Sequence, residues 1–271
     1  MGLKEFDLHG KTAIVTGGSR GIGKGISLAL AEAGADIVVA ARSREAVEQA
    51  ADEIHGLGRR SLPVPTDVTR ADQIDIMVEK SMKEFGKIDI LVNNAGRSAP
   101  KPLVPLGYKT IYSELVPGFD SVLTEEEWNE QIRMNLTAAF LVTRAVGPHM
   151  IKQKKGKIIN ITSNQAVKPF LYHIPYGSAK AGLNMFTKGL ALEWARFNIN
   201  VNAIGSGLAN TELGKMYVEN EKLKESTLRA IPLRRFTEAR EIGLLTVYLA
   251  SEASDNVTGQ IIYCDGGLVI T

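Results

Sequence analysis

The sequence predicts an α/β protein, a single doubly wound, Rossmann-type domain over residues 1–271 with a seven-stranded parallel sheet and helices on both faces. Three observations carry this prediction. Short apolar segments alternate with longer helical ones, the apolar segments lack a polar face, and the first of them leads into a glycine-rich turn. Strands without a polar face are typical of a parallel sheet that helices cover on both sides.

The first half of the chain alternates strands and helices without interruption. Its first strand is expected at Thr12–Thr16, an apolar run between Gly10 and Gly17, and an Ala- and Leu-rich helix then ends near Gly34. The elements expected next are a strand at 37–40, a charged helix at 43–57, a strand at 61–66, a helix at 71–85 and a strand at 88–92.

The second half continues the alternation after a gap. The elements expected there are a helix at 125–150, a strand at 157–161, a helix that carries Tyr176 and Lys180, a strand at 199–204, helices near 211–229 and 239–251, and a last strand at 260–263. Strands alternating with helices indicate crossover connections between parallel strands.

Two segments stand outside this alternation. Residues 97–123 form an extended loop with several prolines and glycines, and loops longer than ~12–15 residues are usually functional or disordered. This loop is too apolar for a solvated tail, so we expect it either to cover the substrate pocket or to form a subunit contact. Residues 208–235 form the second segment, which we expect on the substrate side.

Composition excludes several classes of function. Hydrophobic residues make up 44% and charged residues 23% of the chain, and the net charge of +2 gives no reason to expect nucleic acid as a partner. No apolar run approaches the roughly 20 residues of a membrane span, so no membrane partner is expected. The single cysteine, Cys264, fits a cytoplasmic location. The four scattered histidines, without Cys-x-x-Cys or His-x-His motifs, predict no metal site.

The turn after the first strand has the spacing of a dinucleotide-binding loop. Glycines in a Gly-x-x-x-Gly-x-Gly pattern at 17–23 let backbone N–H groups approach a pyrophosphate at the N-terminus of the next helix. A nucleoside-triphosphate loop is the rival interpretation, because Gly23 and Lys24 nearly complete its motif. We reject it because Gly25 stands where a magnesium-binding Ser or Thr is required.

The end of the second strand favours NADP(H) over NAD(H). An acidic residue there would bind the adenosine ribose and repel a 2′-phosphate. The chain instead has Ala41 and Arg42, with Arg20 in the glycine turn. Guanidinium groups bind phosphate oxygens in pairs, which suits the 2′-phosphate of NADP(H).

Tyr176 and Lys180 form the candidate acid/base pair. Residues four apart on a helix share one face, and an ammonium near a phenol favours the phenolate. We therefore expect Lys180 to depress the pKa of Tyr176, which makes the phenol usable as a proton donor and acceptor for a carbonyl and alcohol pair.

Taken together and in order, these residues resemble the short-chain dehydrogenase/reductase family, including its 3-ketoacyl reductases. The likeness runs from about residue 8 to 267. It includes the glycine turn, the pair Asp67 and Val68, the motif Asn93-Asn94-Ala95-Gly96, Asn135, and Ser163 thirteen residues before Tyr176.

The resemblance implies four catalytic residues. Tyr176 would exchange a proton with the substrate oxygen, Ser163 would polarise that oxygen, and Lys180 would hold the nicotinamide ribose. Asn135 would bind a water that connects Lys180 to solvent. The glycine turn, the arginines and the resemblance together predict these cofactor contacts: Gly17, Ser19, Arg20, Gly21, Ile22, Gly23, Arg42, Asp67, Val68, Asn94, Ala95, Gly96, Tyr176, Lys180, Gly207, Ala209 and Thr211.

The chain departs from the family pattern after the 199–204 strand. Ser206 replaces a proline, which we expect to loosen a turn beside the nicotinamide, and Ala209 replaces a branched aliphatic residue. Gly207 and Thr211 remain, so we expect the cofactor to bind.

We therefore expect an NADPH-dependent oxidoreductase that transfers hydride between the nicotinamide and a ketone or secondary alcohol. The alternatives are an NAD(P)-dependent sugar or secondary-alcohol dehydrogenase and, in another class, a non-catalytic NADP(H)-binding sensor or scaffold. The pocket candidates, 170–174 and 208–231, are mostly apolar apart from His173, which slightly favours a hydrophobic carbonyl compound over a polyol. The resemblance also implies a homotetramer or a dimer.

Overall fold

The computed structural model describes residues 3–209, 211 and 214–271. Its strands form one parallel sheet in the order β3-β2-β1-β4-β5-β6-β7. Their bounds are β1 Thr12–Thr16, β2 Asp36–Ala41, β3 Ser61–Pro65, β4 Ile90–Asn93, β5 Gly156–Ser163, β6 Ile199–Ser206 and β7 Ile261–Cys264. This order reverses direction on either side of β1, as a doubly wound sheet does, and confirms the predicted fold class.

Helices cover both faces of this sheet. Their bounds are α1 Gly21–Glu32, α2 Arg44–Gly56, α3 Ala71–Phe85, α4 Ile111–Leu115, α5 Glu125–Ile132, α6 Ala138–Gln153, α7 Ile174–Trp194, α8 Lys215–Glu219, α9 Glu221–Ala230 and α10 Ala239–Ala250. Helices α1, α2 and α10 pack into one apolar core, and α3, α6 and α7 into the other. The central strands face both cores, which explains why β1 is buried at every residue.

The predicted helix at 125–150 is divided into two helices. A π-helical turn at Arg133–Thr137 separates α5 from α6. The extra residue of such a turn changes which side chains face inward, and π-turns occur often at functional sites. Asn135 lies in this turn and is buried.

The segment at 97–123 is more ordered than a structureless loop. It contains α4, whose N-terminus is stabilised by reciprocal hydrogen bonds between Thr110 and Ser113. Phe119 is only 1% exposed, so the segment contributes an apolar side chain to the interior.

The segment at 208–235 also differs in detail from the prediction. The helix expected at 211–229 is two short helices, α8 and α9, because Asn220 caps the second one through a hydrogen bond from the Leu223 N–H. Of the predicted segment 208–235, Asn210, Glu212 and Leu213 lie outside the described residues. In the described part of the chain, no helix is long and apolar enough to span a membrane.

Candidate active site

The candidate site lies at the carboxyl edge of the sheet, where β1, β4, β5 and β6 are neighbours. Parallel strands end at the same edge, so segments that follow different strands meet there. Ser163 ends β5 and pairs in register with Ser206 at the end of β6. The sheet therefore brings together residues that are far apart in sequence.

The glycine turn after β1 is tightly folded against the turn after β4. The Asn94 side chain donates hydrogen bonds to the carbonyl oxygens of Thr16 (2.9 Å) and Gly17 (3.2 Å). A Cβ atom at Gly23 would lie 2.0 Å from the Gly17 carbonyl oxygen, so only glycine fits there. Gly17 has a φ of +63°, a conformation that also favours glycine.

The N-terminus of α1 suits an anionic ligand. It follows the glycine turn and has no acidic residue in its first turn, so its free N–H groups and helix dipole favour negative charge. Thr211 lies beside this turn, since a Cβ at Gly21 would be 3.4 Å from its side chain. These features fit the pyrophosphate of a dinucleotide. Around the turn, Ser19 and Ile22 are half-buried, whereas Arg20 is exposed.

The residues predicted to contact the adenine side of the cofactor are grouped around Asp67. Burial alone would raise the pKa of this carboxyl, but hydrogen bonds from Thr69 and the charge of Arg42 hold its pKa below the usual range. Arg42 is exposed at the end of β2, and Val68 is buried. A cationic group thus lies where the sequence predicts a 2′-phosphate contact.

Asn135 and Lys180 approach Gly96 together. A Cβ at Gly96 would be 2.7 Å from Asn135 Oδ1 and 3.4 Å from Lys180 Nζ. The amide of Asn135 also accepts from the Arg97 N–H (3.1 Å) and donates to the Arg97 carbonyl (2.8 Å), which fixes its orientation. Ala95 packs beside them against the second core. The structure therefore brings the predicted asparagine and lysine to one place.

Lys180 is held by the strand that carries Ser163. Its Nζ donates a hydrogen bond to the Ile161 carbonyl oxygen (2.8 Å), and burial lowers its pKa to about 8. The ammonium form is therefore still favoured at neutral pH. The Nζ atom lies 5.6 Å from the centroid of the Tyr176 ring.

Tyr176 is 8% exposed, and its pKa differs from the sequence expectation. Burial raises the pKa, and a hydrogen bond with Ser163 only partly opposes that effect. The pKa of Tyr176 is therefore raised rather than lowered in this structure, because burial penalises the phenolate more than the Ser163 hydrogen bond stabilises it. The phenol stays protonated at neutral pH.

The Ser163 hydroxyl is oriented by the two residues that follow it. It donates to Asn164 Oδ1 (3.1 Å) and accepts from the Gln165 N–H (3.1 Å). Two buried atoms beside it, Asn164 Nδ2 and Gln165 Oε1, have no hydrogen-bond partner among the described residues. Buried unpartnered polar atoms cost free energy, and they are often groups that bind a ligand.

The turn after β6 is held firmly despite the replacement of proline by Ser206. The Gly207 N–H donates to the Cys264 carbonyl (3.0 Å), and Ser206 Oγ donates to the Gly207 carbonyl (2.9 Å). A Cβ at Gly207 would lie 2.7 Å from Asp265 Cα, so glycine is required. Ala209 is buried and pairs with Thr237.

Sequence reasoning missed one polar group near the site. Tyr217 of α8 lies with its hydroxyl 3.2 Å from His173 Nε2 and 3.2 Å from the Tyr112 hydroxyl. No local pattern could have indicated this contact, since the partners are 44 and 105 residues away from Tyr217. Of the pocket candidates, Leu171 and Ile174 are exposed, whereas His173 is buried. Among the described residues, no cluster of His, Cys, Asp or Glu could hold a metal ion.

Comparison with known proteins relates this chain to one family. The family model for short chain dehydrogenases matches residues 11–222. The 5-keto-D-gluconate 5-reductase of Escherichia coli K12 is 36% identical over 265 residues, covering 98% of each chain. The 3-oxoacyl-[acyl-carrier-protein] reductase FabG of Thermotoga maritima is 37% identical over 263 residues, covering 97% of this chain and 99% of its own.

A solved structure agrees with these sequence relationships. A gluconate 5-dehydrogenase from Burkholderia cenocepacia, in complex with NADP and tartrate, superposes with a TM-score of 0.88. It is 33% identical, and the match covers 98% of both chains.

Proposed function

The chain belongs to the short-chain dehydrogenase/reductase family and is an oxidoreductase acting on CH–OH groups, and from that premise we propose that it interconverts a ketone and a secondary alcohol of a sugar acid with NADP(H). The observation that carries this proposal is the convergence of Asn135, Ser163, Tyr176 and Lys180 beside the glycine turn. NADPH, when bound, supplies the hydride.

The proposed proton chemistry follows from the protonation states. In reduction, Ser163 hydrogen-bonds the carbonyl oxygen and Tyr176 donates its phenolic proton to that oxygen as hydride reaches the carbon. Burial keeps the phenol protonated, as a proton donor requires, and the adjacent Lys180 ammonium stabilises the phenolate that remains. In oxidation, the phenolate takes the proton back. Asn135 fixes the backbone at Arg97 through two hydrogen bonds, and thereby the segment beside Lys180.

The residues that would hold the cofactor are those of the sequence prediction. The glycine turn and the N-terminus of α1 suit the pyrophosphate, and Asp67 suits the adenine. Arg42 supports the preference for NADP(H), because it adds positive charge beside Asp67 at the end of β2.

A polyhydroxylated substrate is supported by the atoms beside Ser163. Asn164 Nδ2 is a donor and Gln165 Oε1 an acceptor, both lack a protein partner among the described residues, and a hydroxyl group can serve either kind of atom. Sites that hydrogen-bond a substrate hydroxyl discriminate strongly against analogues that lack it. The names of two relatives, a 5-keto-D-gluconate 5-reductase and a gluconate 5-dehydrogenase, agree with this substrate class.

A 3-oxoacyl thioester is the second candidate substrate. The exposed side chains of Leu171 (71%) and Ile174 (48%), in the segment that precedes Tyr176 in the sequence, would offer apolar surface to an acyl chain. The relationship to the 3-oxoacyl reductase of Thermotoga maritima agrees with this alternative.

The decisive experiment is a substrate panel with both cofactors, followed by the absorbance of the reduced nicotinamide. The panel contains 5-keto-D-gluconate, a 3-oxoacyl thioester and an apolar ketone of similar size. We expect the sugar acid, with NADPH, to have the highest kcat/KM. A higher value for the thioester would favour the second candidate, and no turnover of any member would contradict catalysis.

We further propose a cytoplasmic homotetramer or dimer. Large apolar side chains are exposed on two neighbouring helices, namely Phe140 on α6 and Met185 and Leu192 on α7, and association would remove them from water. Light scattering coupled to size exclusion measures the mass, and a monomer at micromolar concentration would contradict the assembly.

A further inference from the structure

Four polar side chains form a hydrogen-bonded series beside α7, the helix that carries Tyr176 and Lys180. We call this series the polar chain. Ser98 Oγ lies 2.7 Å from His173 Nδ1, and the ring continues through Nε2 to the Tyr217 hydroxyl at 3.2 Å. The Tyr217 hydroxyl in turn lies 3.2 Å from that of Tyr112. The polar chain thus joins the loop at 97–123, the residue before α7, and α8.

The groups of the polar chain satisfy one another. Burial lowers the pKa of His173 to about 4, so its imidazole is neutral and carries one donor and one acceptor nitrogen. The three hydrogen bonds can then all run from Tyr112 toward Ser98, or all in reverse. Tyr217 is the central member on which two of these bonds depend.

The side chain of Tyr112 is held in place by the aromatic rings that pack against it. The Tyr112 ring stacks on Phe119 with centroids 5.4 Å apart, and both rings meet the edge of Tyr172 at 5.2 and 4.9 Å. The backbone is joined as well, because the Lys101 N–H donates to the Tyr172 carbonyl (2.9 Å). Aromatic packing of this kind restricts movement of the Tyr112 hydroxyl.

His173, the member of the polar chain that precedes α7, lies close to the proposed reacting groups. His173 caps α7 three residues before Tyr176, and its carbonyl accepts from the Gly177 N–H (2.9 Å) in the first turn. Thr211 lies against the glycine turn at Gly21, and Tyr217 contacts His173 at the start of α7. Two described residues that are close in sequence thus lie beside the cofactor turn and beside the residue that precedes α7.

We propose that Tyr217 and His173 are positioning residues, through which the loop at 97–123 and the start of α7 hold α8 beside Tyr176. The loop at 97–123 then serves as the surface on which α8 rests. A well-held α8 keeps the substrate side of the site in one arrangement before substrate arrives, which lowers the cost of binding.

The structural test is amide hydrogen exchange in Tyr217→Phe, with Tyr248→Phe as the matched control. Both variants lose one phenolic hydroxyl, but Tyr248 lies on α10, remote from the site, and its ring packs against Phe6. We expect exchange about 10-fold faster in Tyr217→Phe within both 110–119 and 215–219, because both lose a hydrogen-bonded partner. Exchange equal to that of the control in both segments would overturn the proposal.

The kinetic test rests on the proposed function. We expect Tyr217→Phe to raise KM about 10-fold and to change kcat by less than about 3-fold, because positioning acts on binding. A fall in kcat with KM unchanged would overturn the positioning role. If the parent protein turns over none of the panel, the proposed function fails, and hydrogen exchange alone decides this inference.

A double variant checks that the polar chain acts as a unit. Tyr217→Phe already removes the partner of Tyr112, so adding Tyr112→Phe should change KM by less than about 2-fold. Fully additive effects on KM would contradict coupling through the polar chain.

Discussion

The Nζ atom of Lys180 lies over the ring of Tyr176, 5.6 Å from its centroid, while it donates a hydrogen bond to the Ile161 carbonyl. The same strand, β5, ends in Ser163, so one strand orients both the lysine and the serine around the tyrosine. The relationship depends on a helix and a strand that pack together, and it places a positive charge near the phenol without a direct contact to its oxygen.

Tyr176→Phe tests the proton transfer. We expect kcat to fall at least ~10²-fold, because general acid catalysis by one residue contributes about 10²–10⁴-fold. The ring volume is conserved, so NADPH affinity, measured by fluorescence titration, should change less than about 3-fold. Turnover at the parental rate would contradict the assigned role.

Arg42→Asp tests the choice of cofactor. Removing the proposed charge-assisted contact to the 2′-phosphate, and adding a repulsive carboxylate, should lower the NADPH-to-NADH ratio of kcat/KM about 10- to 100-fold. Arg44→Asp is the matched control, since Arg44 is 75% exposed and pairs with Glu48 on α2. Equal shifts in both variants, or equal use of both cofactors by the parent protein, would argue against a specific contact.

Gly23→Ala tests the tightness of the cofactor turn. The new Cβ would lie 2.0 Å from the Gly17 carbonyl oxygen, so the turn must open, at a cost of about 1–3 kcal/mol in unfolding free energy. NADPH affinity should fall with it. In Gly56→Ala, where nothing beyond the neighbouring residues and the backbone of the same helix lies within 4 Å of the added Cβ, the unfolding free energy should not fall. Urea denaturation measures the unfolding free energy, and cofactor titration measures the NADPH affinity. Parental values of both in Gly23→Ala would be inconsistent with this packing.

Phe119→Ala tests whether the loop at 97–123 is part of the packed structure. Phe119 is 1% exposed and touches the rings of Tyr112 and Tyr172, so its truncation should lower the unfolding free energy by about 3–5 kcal/mol. Leu103→Ala, in the same loop at 59% exposure, should cost less than about 1 kcal/mol. Similar urea midpoints for the two variants would contradict the burial of Phe119.

The burial of His173 predicts that the protein loses stability in mild acid. Its pKa falls from 6.5 to about 4 on folding, because burial disfavours the charged ring. The unfolded chain therefore binds more protons between these values, so stability present above pH 6.5 is lost as the pH falls toward 4. From pH 7 to 5 this amounts to roughly 2 kcal/mol.

The measurement compares urea unfolding at pH 7 and pH 5. His173→Gln should lose roughly 2 kcal/mol less than the parent protein between the two pH values, because glutamine does not titrate. Leu103→Ala, a control at an exposed side chain that does not titrate, should keep the parental pH dependence. A parental pH dependence in His173→Gln would exclude this histidine as the cause.

Much of the fold followed from local patterns. The helix at Ala71–Phe85 has the predicted bounds, and β1 does too, because alternation and glycine punctuation are written into adjacent residues. The break in the helix at 125–150 was not predictable, since the residues around Asn135 carry no Pro or Gly that would mark a π-turn. Likewise, the capping Asn220 divided a helix that periodicity alone suggested was continuous.

The candidate site likewise combines features that the local sequence indicated with features that it did not. The spacing from Tyr176 to Lys180 indicated that these side chains share a helix face, and the family resemblance implied the place of Ser163, so neither expectation needed tertiary information. The direction of the Tyr176 pKa was wrong, because it depends on how much distant chain covers the phenol.

By itself, the sequence determined the α/β class and the glycine turn, and it nominated the candidate catalytic side chains, because periodicity and short motifs depend on neighbouring residues. Only the tertiary structure decided what surrounds them: the burial of Phe119, the meeting of His173 with Tyr217, and the unpartnered atoms beside Ser163. Burial and hydrogen bonding across tens of residues arise from packing of the whole chain, and no local pattern encodes them.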